Sequence, residues 1–333
     1  MSAAARPAVL VARAVYPEIL ARLREHFDVE PNEADEVWPP AELSARLRGK
    51  AGALTTGSER IDAVVLDAHP RLRVVANMAV GYNNLDIAAF TARGVLATNT
   101  PDVLTETTAD FGFALMMAAA RRMAEGERFL RTGQWTKWRY DMFAGSDVNG
   151  ATLGILGMGR IGQAIARRGA LGFGMRVLYH NRSRLAAEDE VPLGALYVDK
   201  ATLLREADHL VLVLPYSAAS HHAIGAAELA LMQPTATLTN VARGGIVDDA
   251  ALAAALREHR IAAAALDVFE GEPQVHPDLL NVPNVVLTPH IASATERTRR
   301  AMAALAADNL IAALTGGTPP TPVNPEVLAR RGA

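Results

Sequence analysis

LGILGMGRIGQ, residues 153–163, sets an apolar run against three glycines and then opens a helical pattern that continues as AIARR. A glycine triplet means little alone, but between a strand and a helix it has a physical reading. Gly157 permits a tight turn, Gly159 lets a pyrophosphate approach the backbone, and Gly162 lets helix and strand pack closely. Free N–H groups at the helix start would then face the phosphates. Gly157, Met158, Gly159, Arg160, Ile161 and Gly162 are therefore the expected dinucleotide-binding turn. The plainer alternative, three turn glycines in a unit that binds nothing, leaves the strand–turn–helix context unused.

About twenty residues on, VLYHNRSR (177–184) ends the next strand without the acid that usually accepts the ribose 2′-hydroxyl of NAD. A 2′-phosphate carries about −1.5 to −2 charges and would be repelled by a carboxylate there. Asn181 is neutral, Arg182 and Arg184 can fork onto phosphate, and Ser183 can add a donor. The expectation is NADP(H) in preference to NAD(H), with NAD(H) still possible. A solvated loop would be the bland reading, because arginine supplies nearly all the positive charge of this chain; lysine occurs only at 50, 137 and 200.

Working outward, apolar runs alternate with helical patterns almost throughout, the signature of parallel α/β units. The first hundred residues offer strands at 8–12, 27–31, 51–56, 73–79 and 95–99. A long helix is expected over 105–121, followed by an irregular aromatic stretch at 126–150. Six further strands follow: TLGILG, MRVLYHN, HLVLVLP, TATLTNVA, IAAAALDVF and VVLTPH. The run 294–316 has helical spacing and stops at Gly316 and Gly317, and the proline-rich TPPTPVNP reads as a tail. The expected fold class is α/β with two doubly wound parallel-sheet domains and a cleft between them. Residues 1–100 and 291–333 would form a flavodoxin-like substrate domain, and 101–290 a Rossmann-type nucleotide domain.

Composition agrees. The 333 residues are 50% hydrophobic and 21% charged, with a net charge of −3, which gives a nucleic acid no basic face. The absence of cysteine removes disulfides and thiolate chemistry. FGFALMMAAA (111–120) is half the length of a membrane span, and the N-terminal apolar run is short for a signal peptide. The expectation is a cytoplasmic protein without a membrane or nucleic-acid partner.

Three polar residues stand where apolar strands of the second domain end: Arg243 after TATLTNVA, Glu272 in EGEP, and His290 at the end of VVLTPH. Strand C-termini are where open α/β sheets build sites. A guanidinium can hold a carboxylate and polarise a carbonyl. A histidine can deliver a proton to a developing alkoxide, and a carboxylate can orient it. The set suits reduction of a keto acid. His221 and His222 are adjacent and should diverge, so no metal is expected. Glu270 competes with Glu272 as the histidine's partner, Phe113, Met116 and Met117 read as packing, and Thr298–Arg300 as a solvated helix face.

Over nearly its full length the sequence resembles the D-isomer-specific 2-hydroxyacid dehydrogenases. The segments that carry the likeness are NMAVGYNNLDI (77–87), TPDVLTETTADFGFALM (100–116), LGILGMGRIGQ (153–163), NVARGGIVDDAAL (240–252), ALDVFEGEP (265–273) and LTPHIASAT (288–295). VANMAVGYNN, the WTKW segment and YHNRSR look most like the glyoxylate/hydroxypyruvate reductase branch. The resemblance implies Arg243 as substrate anchor, His290 as acid/base and Glu272 as its partner. It implies Asp267 as the receiver of the nicotinamide carboxamide, with Pro215, Val241 and Ala242 also lining the cofactor. Val80, Gly81 and Ser293 would meet the substrate. A homodimer is implied through residues around 101–150, with Trp138 reaching the neighbouring subunit's pocket. The expected reaction is NADPH-dependent reduction of glyoxylate or hydroxypyruvate. The alternatives are 2-ketogluconate, phenylpyruvate or another 2-keto acid, and, remotely, a nucleotide-sensing corepressor-like protein.

Overall fold

The computed structural model describes residues 6–331. The chain divides into two compact units, one running to Leu104 and resuming at Thr295, the other Thr105–Ala294.

In the first unit five short apolar runs become strands: β1 Ala8–Val11, β2 Asp28–Pro31, β3 Gly52–Thr55, β4 Val74–Asn77 and β5 Leu96–Thr98. They pair in parallel in the order β2-β1-β3-β4-β5, the flavodoxin-like arrangement. Alternate residues face opposite sides of the sheet. Val9, Val11, Leu54 and Ala76 pack with Ala303, Ala306, Ala307 and Leu310 of the helix Glu296–Thr315. Leu10, Ala53, Val75 and Ala97 pack with Leu43, Leu47 and Phe90 on the other face. Both faces are covered, which is why these strands read as continuous apolar runs.

The proline-rich stretch near the C-terminus is not a tail. Pro322 bridges Thr98, the N–H of Val323 donates to Ala97, and buried Asn324 accepts from Ala97 through Oδ1 while donating to Val95. A strand edge needs partners for its N–H and C=O groups, and this segment supplies them.

The second unit has seven parallel strands: β6 Thr152–Leu156, β7 Arg176–His180, β8 Leu196–Tyr197, β9 His209–Leu212, β10 Thr237–Asn240, β11 Ala263–Leu266 and β12 Val285–Leu287. Their order is β12-β11-β10-β9-β6-β7-β8. Chain direction across the sheet reverses between β6 and β9, and ligands of such sheets bind outside the strand ends at that switch point. Sequence reading expected six strands; β8 has two residues, too few to show a period. The stretch expected to be irregular begins with a helix, Met123–Arg131. The helix Thr105–Ala120 buries Phe113 and Met116 in the core. Among the described residues no helix is long and apolar enough to cross a membrane.

Candidate active site

The ends of β10, β11 and β12 gather the three polar residues. Gly244 makes this possible: a Cβ there would lie 1.7 Å from the carbonyl oxygen of Phe269, so the loops after β10 and β11 touch backbone to backbone. Asn240, buried at the end of β10, accepts from the N–H of Ala242 and donates to the carbonyl of Arg243. Arg243 itself donates to the Ala242 carbonyl at 2.7 Å. Burial pushes its pKa down, and the charge of Glu272 opposes that shift.

Glu272 is shared between two partners. Its Oε1 accepts from the N–H of Phe269 at 2.9 Å, and its Oε2 lies 2.7 Å from Nδ1 of His290. Burial would raise this carboxyl's pKa. The His290 hydrogen bond and charge, the Phe269 N–H and the charge of Arg243 outweigh it, and the carboxyl titrates below its ordinary range. His290 holds a left-handed backbone, φ 54°, fixed by its N–H donating to the carbonyls of Asp267 and Thr288. With Nδ1 turned to Glu272, the half-exposed ring keeps Nε2 for other chemistry. Glu270, the competing carboxylate, pairs instead with His222 at 2.9 Å.

At the switch point the glycine turn leaves β6. Gly157 has φ 105°, and a Cβ there would lie 2.6 Å from the backbone nitrogen of Leu214, just past β9. Nothing stands within 4 Å of where a side chain on Gly159 would point, directly before the helix Arg160–Arg167. An open position at a helix N-terminus, with the first-turn N–H groups facing it, fits a dinucleotide pyrophosphate. The strand beside it pins the turn: His180 accepts from the N–H of Gly157, and the Asn181 side chain accepts from that of Met158 at 2.7 Å.

A model of the D-isomer specific 2-hydroxyacid dehydrogenase NAD binding domain matches residues 113–292. The chain belongs to the D-isomer specific 2-hydroxyacid dehydrogenase family. It is 51% identical over 327 residues to a glyoxylate reductase of Thermococcus onnurineus, covering 97% of each chain. To that of Pyrococcus furiosus it is 47% identical over 330 residues, covering 98% of each. A solved NADPH-dependent glyoxylate/hydroxypyruvate reductase from Sinorhizobium meliloti, in complex with NADP and malonate, superposes with TM-score 0.84. Its identity is 39%, over 96% of this chain and 97% of that one. The chain is thus an NAD(P)-dependent dehydrogenase, and the match to the NAD binding domain falls within its second unit.

Within this dehydrogenase, several expected contacts find other partners. Arg184, read from the sequence as a phosphate donor, forks onto Glu190 at 2.7 and 2.9 Å. The hydroxyl of Tyr179 also donates to Glu190 and accepts from the N–H of Leu185. Burial and then this acid push the Tyr179 pKa up to about 12. Arg182 and Ser183 stay exposed. Asp267, expected to receive the carboxamide, is fully buried. It accepts from the N–H groups of Ile291 and Ala292 and from the Thr288 hydroxyl, all at 2.7–2.8 Å. These bonds hold the loop that carries His290.

Val241 and Ala242 are buried and Pro215 exposed at the β10 and β9 ends, and Ser293 is half-buried two residues beyond Ile291. Trp138 lies in the irregular stretch after Arg131, its ring beside that of Tyr140. In the first unit Val80 and Gly81 follow β4, their carbonyls held by Asn99 and Asn77. Sequence reading missed Gly244, Asn240 and Glu190. The first two lay in quoted strand ends, but nothing in sequence tells a glycine needed for contact from one needed for a turn.

Proposed function

We propose that the chain reduces small 2-keto acids to 2-hydroxy acids of D configuration, glyoxylate foremost and hydroxypyruvate next, with NADPH preferred over NADH. The observation that carries this is the 2.7 Å pair of His290 and Glu272 on the strand ends that also bear Arg243. The names and NADP complex of the relatives support the substrate and cofactor. Glycolate has no stereocentre, so the D outcome is read on hydroxypyruvate.

Arg243 anchors the substrate carboxylate and withdraws charge from its carbonyl. Nε2 of His290 gives its proton to the oxygen as negative charge develops there. Glu272 keeps the ring oriented through Nδ1. The N–H groups of Val80 and Gly81 and the Ser293 hydroxyl are assigned to the substrate on the resemblance. The residues present fit a nicotinamide dinucleotide, which when bound would supply the hydride for the keto carbon. Gly157 to Gly162 would hold its pyrophosphate, and Arg182 and Ser183 would read the 2′-phosphate. Asp267 keeps its loop role.

The chain is also proposed to form a homodimer through the second unit. Met123, Leu130, Trp135, Trp138 and Tyr140 all expose large apolar surface within eighteen residues, more than a monomer usually leaves to water. Initial rates on a short panel of 2-keto acids, each with NADPH and NADH, test the reading. Turnover should be highest with glyoxylate or hydroxypyruvate and NADPH; a preference for a bulky keto acid or for NADH would overturn the corresponding half.

A further inference from the structure

A second cluster of ligating side chains stands in the second unit, against the loops that carry Arg243 and Glu272. His221, His222 and Glu270 each offer one donor atom, and the three lie within 4.8 Å of one another. Adjacent residues on a regular element point apart, and on that ground the sequence argues against a shared ligand. His222 departs from the rule. Its φ is 49°, and the left-handed turn lays its ring over that of His221, with centroids 3.9 Å apart and planes 23° from parallel.

The surrounding groups hold this arrangement from both sides. The N–H of His222 donates to Gly245 at 2.7 Å, and the Tyr216 hydroxyl lies 3.2 Å from Nδ1 of His221. Opposite them, the N–H of Glu270 donates to Asp249 at 3.1 Å, leaving the Glu270 carboxylate beside Nε2 of His222 at 2.9 Å. Asp248 stands 3.9 Å from the other nitrogen of His222, where a carboxylate can orient a ligating imidazole. Metal–histidine bonds are about 2.0–2.1 Å and metal–carboxylate bonds about 2.0–2.2 Å, so the two stacked rings must swing out of their parallel arrangement for the three donors to meet one ion.

We propose that His221, His222 and Glu270 form a site for a divalent cation of the zinc class, with solvent completing the coordination. Two imidazoles and one carboxylate suit a borderline cation such as zinc, and suit magnesium or calcium poorly because those take oxygen donors. None of its three donors belongs to the catalytic pair, although Glu270 shares a loop with Glu272.

Competition between the full-length protein and a chromophoric chelator for zinc tests this. One zinc ion per chain is expected for the wild type and for His290→Ala. His221→Ala and Glu270→Gln should each weaken uptake by about tenfold or more. His221 is exposed, so its replacement leaves the fold intact, and unchanged far-ultraviolet circular dichroism confirms that. The proposal is overturned if the wild type takes up no zinc, if His221→Ala binds it as tightly as the wild type, or if uptake is lost in His290→Ala and kept in His221→Ala.

Discussion

Two strand-end clusters of the nucleotide unit use the same residue types and come out differently. At the ends of β10 to β12, arginine, carboxylate and histidine assemble around a half-exposed imidazole. At the end of β7 an arginine also stands ready, but Glu190, on the short helix Ala187–Glu190, takes it. The comparison teaches that an arginine's role is decided by its nearest carboxylate. Glu272 is drawn to His290 because the Gly244 contact fixes its loop beside β12. Glu190 lies six residues beyond Arg184, near enough to fold back onto it. In one cluster the carboxylate pairs with a histidine, while in the other it ties an arginine to the fold.

The trio end should yield the larger effects. Glu272→Gln should cut kcat by about 10²–10⁴, since an amide can no longer stabilise the imidazolium or fix its tautomer; near-normal turnover would erase the distinction between the clusters. Arg243→Lys should lower kcat/KM for keto acids by about 10²–10³, because an ammonium loses the planar fork. Gly244→Ala should destabilise the protein by about 1–3 kcal/mol and lower kcat with it, measured by thermal unfolding and initial rates. At the β7 end, Arg182→Ala should weaken NADPH binding by about tenfold or more and leave NADH binding unchanged. Arg184→Ala should do less, because Glu190 already holds that side chain; an equal or greater loss would mean Glu190 releases it to the phosphate.

The pH dependence sharpens the contrast further. The folded protein holds Glu272 below its ordinary value of 4.5, so this carboxylate's contribution to stability is present above that pH. It is lost as pH falls through the folded value. The Tm difference between wild type and Glu272→Gln should therefore shrink as pH falls below about 4.5.

What could be read from sequence follows the same division. β6, β7 and β9 to β12 are runs long enough to show themselves, and Asn181, Asp267 and Thr288, directly after β7, β11 and β12, mark strand ends without any knowledge of tertiary contacts. β8 is too short for that, and TPPTPVNP reads as coil because proline hides the pairing that Asn324 completes. Arg184, Asp267 and His222 went elsewhere for reasons of three-dimensional placement. The first met Glu190, the second closed over the His290 loop, and the third adopted a positive φ that no residue type announces.

The central claim is that His290, poised by Glu272, is the proton donor of the reaction. His290→Gln, assayed for glyoxylate reduction beside a titration of NADPH binding, tests it most directly. The account predicts that kcat falls by about 10²–10⁴ while the NADPH Kd stays at the wild-type value. Turnover within a few-fold of the wild type, with NADPH still bound, would contradict it.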